Sequence, residues 1–155
     1  MLFLLHGWGF DGYRHRGELV VNRNAATRFA AAFAGLYRNR VPIRSMYRPD
    51  RFGWSAVLRG ANDYRSMEAD NTSAFNCRGV ANKPGVLSPH ATGYAVDINT
   101  WENPYDCRLP NRYWCYHSLR NPATWRSRSA LVVQVLARHG LRWTYGMTDI
   151  QHFDA

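Results

Sequence analysis

Lysine is almost missing from this chain: Lys83 is the only one, so the formal net charge of +9 rests on arginine. The arginines are spread from Arg14 to Arg142 with no run of five or more and no regular interleaving with aromatics. That spread argues against a nucleic-acid groove and leaves a basic surface suited to anionic partners. Cysteine is scarce too. Cys77, Cys107 and Cys115 make an odd set without a CxxC pair, which excludes a cysteine zinc site and a full disulfide framework. Cys107 and Cys115 flank a Pro110-Asn111 turn signal, so one bridge between them is an option, with three buried thiols as the alternative. No stretch approaches the roughly 18 apolar residues of a membrane helix, and the apolar opening Met1 to Leu5 is far shorter than the ~7–15-residue core of a secretory signal. Neither a membrane span nor an export signal is expected in the chain as given.

What is present is enough for a core. At 155 residues, 46% hydrophobic and 14% aromatic, the chain has the size and apolar content of one domain, expected to span 1–155. Gly17 to Val21 reads as a short strand, after which Asn22 or Asn24 caps a helix running to about Arg38, with Phe29, Phe33 and Leu36 on one inward face. Pro42 to Tyr47 alternates like a half-buried strand that stops at Arg48-Pro49. The Gly-, Asn-, Ser- and Asp-rich stretch from Gly53 to Pro89 reads as a long functional loop, and Trp101 to Trp125 as another. Ala95 to Asn99 is a strand pattern, Ser127 to His139 a helix stopped by Gly140, and Leu141–Trp143 and Ile150–Phe153 read as closing strands. The sum is an α+β fold: a small, mainly antiparallel sheet with flanking helices and long loops around a site.

The chemistry concentrates in Ser88-Pro89-His90-Ala91-Thr92-Gly93-Tyr94-Ala95-Val96-Asp97. A catalytic zinc takes about three ligands from histidine and carboxylate and keeps one position open. His90 and Asp97 supply two such ligands, and His152, inside the apolar Ile150-Gln151-His152-Phe153, is the third candidate. Asp149 precedes His152 by three positions, a separation that points to opposite faces on a strand, so the two share a site only if Asp149 sits in the turn before it. There it would act as general base.

Ser88-x-His90-x-x-Gly93-x-Ala95-x-Asp97, followed by Asp149-x-x-His152-Phe153, resembles the SxHxxGxAxD and (E/D)xxHF signatures of the M15 zinc peptidases. Gly7–Gly12, Gly17–Val21, Asp70–Arg78 and Glu102–Tyr105 are similar to the D-alanyl-D-alanine carboxypeptidase-like branch of that family. The resemblance implies zinc held by His90, Asp97 and His152, Asp149 as acid and base, and an arginine at the scissile carbonyl, for which Arg48 is the choice and Arg44 and Arg78 the rivals. Ser88 is expected to support the site by hydrogen bonding. The implied substrate is the stem peptide of bacterial peptidoglycan, cut either at L-Ala-D-Glu or at D-Ala-D-Ala, by a monomer acting at the cell wall after secretion or phage release. The net charge of +9 would then favour the anionic wall. The rival is a non-catalytic zinc-containing wall-binding module, against which the retained Asp149 speaks.

Overall fold

The computed structural model describes residues 1–80, 83–105 and 123–155. The opening strand β1 (Leu2–Trp8) pairs antiparallel with β2 (Arg14–Val20), matching Leu2 with Val20 and Trp8 with Arg14. Sequence reading treats Met1 to Leu5 only as an apolar run, because five apolar residues in succession hide the alternation. In place, Phe3 and Leu5 pack against the core while Leu2 and Leu4 stay exposed.

Asn22 caps the turn before α1 (Ala26–Arg38) by accepting a bond from the Asn24 N–H at 3.0 Å. Phe29, Ala32, Phe33 and Leu36 are buried along one stripe of α1, at the i, i+3, i+4, i+7 spacing of a core-facing helix. The second predicted helix is shorter than expected. α3 (Leu131–Arg138) begins after Ala130, whose ψ of 140° is extended, and Gly140 at φ +81° follows its end. Val132, Val133, Val135 and Leu136 complete the core with Leu141, Trp143 and Phe153.

Pro42 to Tyr47 is not a strand. It makes isolated bridges only, Pro42 with Trp8 and Ser45 with Asn71. Main chain takes the Ile43 N–H and the Ser45 and Met46 carbonyls, and asparagine side chains take other groups: Asn99 Nδ2 donates to the Pro42 carbonyl at 2.7 Å, the Arg44 N–H donates to Asn99 Oδ1 at 3.1 Å, and the Tyr47 N–H donates to Asn71 Oδ1 at 2.8 Å. Each main-chain group needs one partner, and amide side chains serve as well as a ladder. The predicted long loop from Gly53 also holds short structure: β3 (Trp54–Ser55) with β4 (Gly60–Ala61), α2 (Asp63–Glu68) capped by Asn62, and β5 (Gly79–Val80) with β6 (Lys83–Leu87).

The α+β expectation holds, with a difference in how the strands are arranged. Among the described residues they form four separate two-stranded antiparallel ribbons, the last being β7 (Ala95–Asp97) with β8 (His152–Asp154). The two predicted closing strands do not pair as a ribbon: a 3-10 turn, Gly146–Thr148, lies between them, the second forms β8, and Arg142 meets Asp154 only as an isolated bridge. Cys107 and Cys115 lie outside the described residues, and Cys77 is exposed.

Candidate metal centre

The β7–β8 register decides the site. It sets Asp97 opposite His152, Val96 opposite Phe153 and Ala95 opposite Asp154. Alternation then sends Val96 and Phe153, both fully buried, into the core and turns Asp97 and His152 to the other face. Loop geometry brings His90 to the same place. Pro89–Thr92 is one 3-10 turn, capped by Ser88, whose Oγ accepts from the His90 N–H at 3.3 Å. The turn closes at Gly93, φ +72°, where a Cβ would stand 2.7 Å from the Asn22 main-chain nitrogen. Both the backbone angle and the close approach demand glycine there.

His90 Nε2, His152 Nδ1 and an Asp97 oxygen converge within 4.8 Å of one another, all three residues buried. His90 Nε2 is 3.2 Å from His152 Nδ1, which is 3.0 Å from Asp97 Oδ1, while Asp97 Oδ2 is 3.3 Å from His90 Nε2. The outer nitrogen of each ring is already committed. His90 Nδ1 is 2.6 Å from the Ala74 carbonyl, which can only accept, so in the neutral ring Nδ1 carries the proton and Nε2 presents a lone pair. His152 Nε2 is 3.0 Å from Asp154 Oδ1, which by the same logic leaves Nδ1 as the lone pair. Three acceptors thus face one another in a buried space, a stable arrangement only with a proton or a cation among them.

The electrostatics express that demand. Burial opposes a charged imidazole at His152, yet bonds to Asp154 and Asp97 outweigh it and raise its pKa to about 10. Burial likewise works against the Asp97 carboxylate, and His90 and His152 overcome it, holding its pKa below the ordinary range. Histidine and carboxylate at this spacing, with each outer ring nitrogen anchored, suit a divalent cation of zinc's kind. The residues fit a metal.

Asp149 ends the 3-10 turn before β8, the arrangement in which it and His152 can share a site. Its Oδ1 is buried with no hydrogen-bond partner among the described residues. Burial, reinforced by the Asp97 charge, raises its pKa to about 7. Asp149 lines a cavity of about 550 Å³ together with His90, Asp97 and His152.

Residues 81–155 match the family model described as D-alanyl-D-alanine carboxypeptidase. The match supports an M15 family peptidase. No curated protein and no solved structure shows significant similarity to the chain. The M15 match encloses all three converging residues and Asp149.

The structure brings together His90, Asp97, His152, Asp149 and Ser88, and leaves Arg48 outside. Arg48 pairs with Asp50, two residues on, at 3.0 and 2.7 Å, and does not line the cavity. Its chain leads into a 3-10 turn at Pro49–Phe52, which places Asp50 where it captures the guanidinium. Arg44 is turned to Asp70 and Glu102, at 3.0 and 2.9 Å. Arg78 is the rival that lines the cavity, largely buried and paired with Asp63 at 2.6 Å. Two further residues escape sequence reading. Asp63 had no signal. Asp154 had one: positions i and i+2 of a strand share a face, so a carboxylate two residues after a histidine ligand stands beside its ring.

Proposed function

We propose that this chain is a zinc-dependent peptidase acting on the stem peptides of bacterial peptidoglycan, delivered to the cell wall by secretion or phage release. The observation that carries the reading is the buried carboxylate of Asp149, whose Oδ1 has no hydrogen-bond partner among the described residues, in the same cavity as three converging acceptors. A structural metal site has no use for such a group, whereas a hydrolytic one needs a base there.

His90, Asp97 and His152 would hold the ion. Zinc in that position supplies Lewis acidity for water activation and carbonyl polarisation. Asp149, with its pKa near 7, takes the proton of the attacking water and returns it to the leaving amine. Arg78 is the guanidinium placed to meet the scissile carbonyl or a substrate carboxylate, since it lines the cavity and Asp63 fixes it from behind. The bond cut is L-Ala-D-Glu or D-Ala-D-Ala. The net charge of +9 supports residence on the anionic wall, an attraction that weakens with salt.

The test is incubation of the zinc-loaded protein with purified peptidoglycan and defined muropeptides, with and without chelator, followed by mass spectrometry. New L-Ala or D-Ala termini, lost with chelator and restored by zinc, are expected. No cleavage of any wall peptide by the loaded protein would reject the enzyme reading in favour of a binding module.

A further inference from the structure

β6 runs directly into Ser88 and the turn that carries His90, and among the described residues its only strand neighbour is β5. The pair Gly79–Leu87 is of the non-hydrogen-bonded kind, because the ladder bond at this end lies one residue outside it, from the Ser88 N–H to the Arg78 carbonyl at 3.1 Å. In an antiparallel ladder the two members of such a pair turn their own N–H and C=O away from each other. On the Gly79 side this is visible, since its N–H leaves for the Leu58 carbonyl at 3.1 Å. On the Leu87 side the N–H and C=O face the free edge of β6, where no described main-chain group takes them. Leu87 is 66% exposed and lines the same cavity as His90 and Asp149.

An unpaired edge is a template for another main chain, and proteins blunt such edges with lysine and proline. Here Lys83 and Pro84 stand at the far end of β6, while Leu87, next to the ligand turn, is left open. We propose that the Leu87 backbone is the anchor for the substrate's own main chain, an extended peptide laid along the edge of β6. The inference rests on the peptidase reading and deepens it. Leu87 precedes His90 by three residues, at most about 11 Å of extended chain, so the anchored substrate residue lies some two or three positions from the bond that is cut. An added strand supplies affinity through main-chain hydrogen bonds whatever the side chains, which suits a polymer of unusual residues.

The experiment compares zinc-loaded wild type, Leu87→Pro and Leu87→Ala on a synthetic stem pentapeptide. Proline deletes the outward N–H without removing a ladder bond, and alanine keeps it. Leu87→Pro is expected to have a KM on the order of three- to tenfold above that of Leu87→Ala, which shares the lost side chain but keeps the N–H, at equal kcat. Equal KM for the proline and alanine variants overturns the anchor and leaves the peptidase standing. A wild type that cleaves no stem peptide removes both. In case proline disturbs the hairpin, amide exchange of Leu87 is followed in zinc-loaded Asp149→Asn with saturating uncut pentapeptide. At least tenfold slowing of that amide is expected, and an unchanged rate overturns the proposal.

Discussion

Two buried acidic clusters in this molecule look alike in composition and differ in what completes them. In one, Asp70 and Glu102 are buried and Arg44 reaches both, at 3.0 and 2.9 Å, while the Trp101 N–H donates to Asp70 at 3.0 Å. In the other, Asp97 and Asp149 accompany two histidines whose inner nitrogens present lone pairs. Asp70 and Asp149 are both raised to about 7, by burial first and by a neighbouring carboxylate as well, Glu102 for one and Asp97 for the other. The chain supplies a guanidinium to the first cluster, which then fastens Arg44 to the segment following β7. For the second it supplies anchored acceptors and a carboxylate, Asp149, with one oxygen left without a hydrogen-bond partner among the described residues. A buried acid serves structure where the sequence brings its own cation, and is available for chemistry where the cation comes from outside.

The largest effect expected from breaking this contrast is at Asp149. Asp149→Asn should lower kcat by roughly 10²–10⁴-fold, with zinc affinity little changed and the melting temperature not lowered, because it replaces a buried carboxylate whose Oδ1 has no hydrogen-bond partner among the described residues. Steady-state kinetics and calorimetry on the same preparation check this, and a variant keeping more than a tenth of the activity would deny Asp149 its role. Arg44→Leu should do the reverse. It takes the guanidinium from two buried carboxylates and should destabilise by about 2–3 kcal/mol in urea unfolding, a figure set low because the guanidinium is 43% exposed. Zinc stoichiometry should be untouched, and loss of zinc in a folded Arg44→Leu protein would show that the clusters are not separate. A smaller effect is expected at Asp154, which orients His152 through Nε2. Asp154→Ala should weaken zinc binding by about 10–100-fold in competition with a chromophoric chelator, and full affinity would mean that the ring is held by packing alone.

The same contrast explains what could be read from sequence. The metal-site cluster is compact in sequence: His90, Gly93 and Asp97 lie on one turn and the strand after it, and Asp149 and His152 on another, so spacing and local structure exposed all of them. The fastening cluster joins residues 44, 70 and 102 from three segments, and no local pattern announces such a meeting. Arginine roles were opaque for that reason. A guanidinium reaches far, and which of Arg44, Arg48 and Arg78 faces the cavity depends on the capture of the other two by Asp70, Glu102 and Asp50. Helix α1 was legible from its apolar stripe, whereas Pro42 to Tyr47, with the right alternation, finds part of its partners in asparagine side chains that strand periodicity does not anticipate.

The smallest effect separates the two raised aspartates by pH. Because Asp70 has a folded pKa of about 7, above its unfolded value near 3.8, the native state binds the extra proton. Its contribution to stability is therefore complete below about pH 4 and is lost as pH rises through about 7, with one group changing stability by at most about 1.4 kcal/mol per pH unit. Asparagine imitates the protonated acid, keeps an oxygen for the Trp101 N–H, and leaves Arg44 matched one to one with Glu102. In chelator, Asp70→Asn should flatten the decline in stability between pH 5 and 8 and equal or exceed wild type by about 1 kcal/mol at pH 8. Asp149→Asn should flatten it further, leaving above about pH 6.5 the part that His152 carries through its pKa of about 10. If instead Asp70→Asn leaves the slope unchanged, Asp70 does not carry the extra proton of the native state.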